Sequence, residues 1–403
     1  MARNYPRLES GGELTRLMIE HYGQALGRQG GLPVAWVTSG APVELLRAMD
    51  VLPVYPENYA AVCASQGAVP LCEAAERLGY SRDLCAYARI SIGAAAIGDD
   101  APFAGLGRPD LLVACNNICG TVVKWFQALA QRFAVPLFIL DTPFLPDDTI
   151  NEHALAYVAG QLEDLVRWLE RRAARRLDRA RLADVLALSN ETVALWRDIR
   201  GLCRAHPSPL SVPDLFVTMA PIVSLRGTPE AVAFYRMLHS EAEQRVRQGV
   251  SAVAGERFRL LWDNIAIWPR IYHFFSQFPR RGACFVADTY TGAWDTEVEA
   301  GEPLEALART YLGIFLNHSL AHRAERMAQL IGEYACDGFV MHANRSCKPF
   351  SLGQPVARRL VTDATGVPGL LFEADMADPR AYAEEAIAAR VQAFLEALDG
   401  RAS

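Results

Sequence analysis

The chain uses one pattern twice, a buried strand that runs straight into a cysteine. Residues 110–119 read DLLVACNNIC and residues 337–347 read DGFVMHANRSC. Each opens on an acidic residue, continues through an apolar run to an asparagine (Asn116, Asn344), and reaches a cysteine three positions later, Cys119 or Cys347. The echo extends downstream, where a helical stretch leads to a second apolar strand, VPLFILD at 135–141 and VPGLLFEAD at 367–375. Strand, helix and strand in that order predict a βαβ unit of a parallel sheet. Ligands of open parallel sheets bind beyond the carboxyl ends of the strands, so the two halves predict two walls of one site, each offering a thiol.

The rest of the chain fills in around these halves. An amphipathic helix at 13–30 ends in glycine, a strand follows at 33–39, then a helix at 42–49 with Pro42 in its first turn, and a second strand at 51–56. From His153 to about Arg200 apolar residues recur at helical spacing, and helices resume after the proline-rich turn at 202–214. Strands return with GACFVAD (282–288), and an amphipathic helix closes the chain. The expected fold is α/β, with two doubly wound, Rossmann- or flavodoxin-like parallel-sheet lobes joined by a helical region. Residues 1–150 form the N-terminal helix and first lobe, 151–278 the mainly helical region, and 279–403 the second lobe with its C-terminal helix.

A chain of 403 residues, 51% hydrophobic and 21% charged, has ample material for a large core. Its net charge of -6 argues against nucleic acid as a partner. The basic stretch RRAARRLDRARL (171–182) is interrupted by Asp178 and reads as a solvated helical face. The N-terminus lacks an apolar signal core and no run reaches membrane-spanning length, which predicts a cytoplasmic protein without membrane association.

Nine cysteines, an odd number at irregular spacing, do not read as a disulfide framework. Cys63, Cys72, Cys203, Cys284 and Cys336 read as small buried hydrophobes. Cys119 and Cys347 stand out by the duplicated pattern. Cys85, in GYSRDLCAYARISIG, stands out because it precedes a helix among polar and amphipathic neighbours. These three are too far apart in sequence for a compact zinc ribbon or ferredoxin-type motif, so a shared metal site needs a preformed fold.

At these residues the chain resembles the cluster-bearing catalytic subunits of the 2-hydroxyacyl-CoA dehydratase and benzoyl-CoA reductase family. The resemblance runs end to end through VTSGAPVELLRAMDVLPVYPENYAA, YSRDLCAYAR, CNNICGTVVKWF, VPLFILDTPF, LLWDNIAIWP and NRSCKPFS. It implies a 4Fe-4S cluster on Cys85, Cys119 and Cys347, with Cys115 as the rival to Cys119 and the fourth iron left open. It further implies that Ser39 can occupy that iron when substrate is absent and that Glu57 is the catalytic acid/base. The plainer readings are a turn hydroxyl for Ser39 and an exposed loop carboxylate for Glu57.

The implied activity is dehydration of an acyl-CoA through a ketyl radical, after one-electron activation by a separate ATP-dependent iron-sulfur protein. The implied assembly contains a homologous second subunit or a second copy. Alternatives within the family are a benzoyl-CoA reductase-type subunit and a double-cubane-cluster reductase, the latter recruiting Cys115 and Cys336. A non-catalytic, cluster-bearing partner subunit is the alternative from another class. No GxxxxGK[ST] loop is present, so ATP chemistry is not expected in this chain. Lys124 is a candidate contact for a CoA phosphate, and Trp125 reads as packing. His342 reads as a hydrogen-bonded core histidine, and His318 and His322, with no third ligand evident, as a helix surface.

Overall fold

The structure, a computed structural model, describes residues 6–402. Among these residues eight strands form two separate four-stranded sheets, and every pairing within them is parallel. The first sheet contains β1 (Val34–Val37), β2 (Leu52–Val54), β3 (Leu111–Cys115) and β4 (Leu137–Leu140), in the order β2-β1-β3-β4. The second contains β5 (Phe258–Asp263), β6 (Ala283–Asp288), β7 (Gly338–Asn344) and β8 (Gly369–Ala374), in the order β6-β5-β7-β8. The two orders are the same, with β5 to β8 repeating β1 to β4, so the sequence echo reflects two lobes of one topology. In each sheet the order reverses between the first and third strands of the lobe, the crevice position at which open α/β sheets bind ligands.

β1, β2, β3, β5 and β6 are buried along their whole length, as sheets covered on both faces require. Trp262 on β5 is fully buried, its ring centroid 5.0 to 5.8 Å from those of Phe275, Phe274 and Phe285, and its indole N–H donates to the Asn264 carbonyl at 2.7 Å. Between β4 and β5 in sequence come the long helices Glu152–Ala173, Arg179–Leu202 and Pro229–Gln248. Their starts are capped by Asn151, Asp178 and Thr228, whose side chains accept backbone N–H groups of the first turn.

Two expectations need correction. The stretch 151–278, read as mainly helical, contains β5, a central strand of the second sheet. FRLLWD is a short, wholly buried run, and such a run has no period that separates strand from helix. The basic stretch 171–182 is not one helical face either. It spans the end of one helix, a turn and the start of the next, and Arg175 and Arg181 both pair with Asp50. Among the described residues no helix is long and apolar enough to cross a membrane.

Candidate active site

The carboxyl ends of the two sheets face one cavity with an empty volume of about 1200 Å³, part of it open to solvent. Ser39 after β1, Glu57 after β2, Cys119 after β3 and Cys347 after β7 all line it, together with Cys85. The fold therefore brings together all five residues singled out in the sequence. The nine cysteines separate in the same way. Six are buried, and the three partly exposed ones are Cys85, Cys119 and Cys347.

Each of these three thiols sits at a helix start. Cys85 precedes Ala86–Ile97, Cys119 precedes Gly120–Phe133, and Cys347 precedes the single turn Lys348–Ser351. The backbone N–H of Thr121 donates to Cys119 Sγ at 3.2 Å, and those of Ala88 and Phe350 donate to Cys85 and Cys347. Such donors favour negative charge on sulfur. Burial opposes it, pushing the Cys347 thiol up to about 12 and the Cys85 thiol well above its ordinary value, with mutual repulsion among the sulfurs adding to the effect. Bare thiolates are disfavoured here, whereas a metal that supplies positive charge would reverse the balance. An all-sulfur donor set from three loops suits a soft metal centre.

The two strand-end cysteines are held by the same device. In each lobe the cysteine N–H donates to the carbonyl of the asparagine three residues earlier, Asn116 or Asn344, at 3.1 Å. The asparagine side chain then reaches to the next loop. Asn116 Oδ1 accepts the Thr142 N–H at 2.6 Å after β4, and Asn344 Oδ1 accepts the Met376 N–H at 3.2 Å after β8.

Cys85 is tied in differently. The Ala86 N–H donates to the Ser346 hydroxyl at 3.0 Å, and the Ser346 N–H donates to Asp375 at 3.2 Å. Ser346 and Asp375 were not singled out from the sequence. Ser346 acts across 260 residues, a contact that no local spacing encodes.

Glu57 lies in the first turn of the helix Pro56–Gln66, and one of its oxygens accepts both the hydroxyl and the main-chain N–H of Ser39, the latter at 3.1 Å. Burial raises the Glu57 carboxyl to about 7, against the lowering effect of the two Ser39 bonds. Neither plain reading survives this geometry, because the hydroxyl is not merely bonding local backbone and the carboxylate is not exposed. Tyr87 and Tyr290 line the same wall, and the Trp268 indole N–H donates to the Tyr87 hydroxyl.

The other sequence candidates fall outside this arrangement or at its edge. Cys115 lies within β3, is fully buried and has its thiol pushed up to about 12 by burial. Cys336 is buried before β7, at the end of the strand remote from the cavity. His342 is a core residue whose Nδ1 lies 3.0 Å from the Ile265 carbonyl. Trp125 is buried in the cavity wall and Lys124 is exposed one position before it.

His318 and His322 do have a third neighbour, Asp148, which contradicts the expectation that none is at hand. Their rings stack at 4.2 Å and 15°, however, and an ion bound through an imidazole nitrogen lies in the ring plane. One ion cannot lie in both of these planes. Asp148 is instead engaged by the Ser319 N–H and hydroxyl at 3.0 and 2.9 Å, at the start of the helix Leu320–Glu333.

A two-lobed α/β chain with three thiols, a carboxyl and a hydroxyl around one cavity at its shared sheet ends defines a class of protein, and comparison places the chain within it. The profile of the family described as "2-hydroxyglutaryl-CoA dehydratase, D-component" matches residues 38–398. The chain is 34% identical over 389 residues to the (R)-2-hydroxyisocaproyl-CoA dehydratase alpha subunit of Clostridioides difficile, covering 96% of this chain and 95% of that one. It is 32% identical over 382 residues to the lactoyl-CoA dehydratase subunit alpha of Anaerotignum propionicum, with 91% and 90% covered. A subunit of the benzoyl-CoA reductase of Thauera aromatica is 29% identical over 346 residues, with 82% and 80% covered. The chain belongs to the 2-hydroxyglutaryl-CoA dehydratase D-component family.

Proposed function

We propose that this chain is the catalytic, alpha-type subunit of a 2-hydroxyacyl-CoA dehydratase, and that Cys85, Cys119 and Cys347 hold a 4Fe-4S cluster with one iron open to ligand exchange. The observation that carries this reading is the convergence of the three partly exposed cysteines with the Ser39–Glu57 pair on one cavity. When bound, such a cluster supplies one electron to the thioester carbonyl and a Lewis-acid site for an oxygen of the substrate.

The protein's own residues do the rest. The carboxylate of Glu57 takes the proton that leaves the substrate carbon and returns it to the departing hydroxide, so that water is lost and the carboxylate is restored, a role suited to a group poised near 7. Ser39 holds that carboxylate in place and is the chain's own candidate for the open position before substrate arrives. The largely apolar cavity wall limits water around the reacting thioester. The electron comes from a separate ATP-dependent iron-sulfur activator, as the family resemblance implies. Relatives named as alpha subunits support a related second subunit or a second copy as the structural partner.

Ring reduction of an aromatic acyl-CoA is the second reading, favoured by Tyr87, Trp125, Tyr290, Phe315 and Phe350 in the cavity wall and by the benzoyl-CoA reductase relative. Anaerobic purification with the co-purifying partner, followed by iron and sulfide analysis and by turnover with 2-hydroxyacyl-CoA and benzoyl-CoA, decides between them. Dehydration with about four irons per chain supports the first reading. Ring reduction alone replaces it with the second, and a preparation unable to bind iron removes both.

A further inference from the structure

We infer that the acyl end of this cavity accepts an uncharged, apolar side chain and excludes a second carboxylate, an inference that rests on the thioester reading above. The cavity wall includes Ile118, Val122, Ile222, Val223, Phe315 and Phe350. Among the described residues that line it, the acidic and basic side chains (Asp, Glu, Lys, Arg, His) are Glu57 and Arg226 alone. Glu57 has the wrong sign to receive a carboxylate. Arg226 is the one guanidinium that could do so, and its charge is already neutralised.

Arg226 is already engaged within the protein through its Nε and one Nη. Its Nε lies 2.9 Å from Oε1 of Glu44 and donates to the Ser189 hydroxyl at 2.7 Å, while an Nη donates to the Thr296 carbonyl at 2.9 Å. Glu44 is fully buried; its Oε1 also accepts the Ser189 hydroxyl at 2.9 Å and its other oxygen accepts the Tyr311 hydroxyl at 2.6 Å. A carboxylate entering the cavity would have to compete with a buried anion that is held by two hydroxyls as well as by the guanidinium. It would otherwise be stripped of water with no cation beside it, which is among the most unfavourable transfers a protein can impose. An alkyl or aryl chain meets the opposite situation, since every atom it buries leaves water for carbon-rich surface.

The test uses two non-reacting thioesters, 4-methylpentanoyl-CoA and glutaryl-CoA, with CoA alone as the reference. Neither has a 2-hydroxyl group, so titration calorimetry on the anaerobically purified protein with its partner reads binding without turnover. The expected result is that 4-methylpentanoyl-CoA binds at least tenfold tighter than glutaryl-CoA. Equal affinities, or tighter glutaryl-CoA, overturn the inference while leaving the dehydratase reading intact. Binding of neither thioester beyond CoA alone overturns the thioester reading and this inference with it.

A second arm uses Glu44→Gln, which releases Arg226 as an uncompensated cation. Glutaryl-CoA affinity is expected to rise at least fivefold in this variant, and an unchanged affinity counts against the assignment of Arg226 as the silenced cation. The wild-type arm needs no variant, so it decides the inference even if Glu44→Gln fails to fold.

Discussion

The hydroxyl and the main-chain N–H of Ser39 converge on a single oxygen of Glu57 and leave the carboxylate's other oxygen free of Ser39. Two donors lower the carboxyl's pKa, yet burial outweighs them and the group settles near 7. Ser39 therefore acts on Glu57 as a brake, keeping a buried carboxyl from becoming a permanent acid. That relation determines what pH should do to the enzyme.

If the Glu57 carboxylate is the base, turnover should rise through a limb near pH 7 and fall about tenfold per pH unit below it. Glu57→Gln should abolish that limb and lower turnover by roughly a hundredfold to ten-thousandfold, with iron content normal. Stability should move the other way. A carboxyl whose folded pKa lies above its ordinary 4.5 favours the folded state while protonated, and this contribution is present below about 4.5 and lost as pH rises through 7. Denaturation midpoints of wild type and Glu57→Gln should therefore diverge across that window, the wild type losing ground as pH rises.

Ser39→Ala removes the side-chain bond that lowers the Glu57 pKa and spares the main-chain one. The limb in the pH-rate profile should shift upward by a measurable fraction of a unit, so that activity near pH 7 falls more than activity near pH 8.5. A limb that stays in place would mean that Ser39 does not tune Glu57. The substrate-free iron spectrum should change as well if Ser39 reaches the open position, and that readout is independent of turnover.

Alanine at Cys85, Cys119 or Cys347 should each lower bound iron sharply, while Cys115→Ala leaves it nearly unchanged. Cys115→Ala removes a fully buried side chain from β3 and should instead cost about 1 to 2 kcal/mol of stability. Iron analysis and chemical denaturation on the same four variants separate ligation from packing. Full iron in the Cys347 variant would break the assignment.

The duplicated asparagine-to-cysteine spacing was readable because it encodes a local turn. Asn116 and Asn344 each accept their cysteine's N–H three residues on, and a contact that short leaves its mark in the sequence. Cys85 has no such mark. Its place at the cavity depends on the bond from the Ala86 N–H to the Ser346 hydroxyl, 260 residues on, so its polar neighbours and the helix after it could single it out without assigning it a partner. Asp148 beside His318 is the same case, a loop residue that meets its neighbours only after β4 and the helix Leu320–Glu333 are placed. β5 was missed for another reason, because FRLLWD lacks the alternation or helical period that would classify it. Arg226 and Glu44 carried no signal, since a buried pair 182 positions apart looks like two ordinary surface charges in sequence.

Gly40 and Asn117 offer a test of how tightly the Ser39 loop is fixed. A Cβ built at Gly40 would lie 2.1 Å from Oδ1 and 3.0 Å from Cγ of Asn117, so Gly40→Ala must displace that side chain or the loop itself. Asn117 cannot yield freely, because it is buried and its amide donates to the carbonyls of Gly40 at 3.1 Å and Tyr311 at 2.9 Å. Gly40→Ala should therefore cost about 1 to 3 kcal/mol of stability and shift Ser39, lowering turnover with it. Asn117→Ala removes every atom of the clash but leaves two buried carbonyls without their donor, at a cost of roughly 1 to 3 kcal/mol. The two penalties have one origin in common, so the double variant should be destabilised by clearly less than the sum of the singles, with a coupling of at least about 0.5 kcal/mol. Chemical denaturation of the four proteins in the cycle measures this directly. Strict additivity would show that the loop relaxes away from Asn117 without resistance, and the close packing behind Ser39 would then have no part in holding it against Glu57.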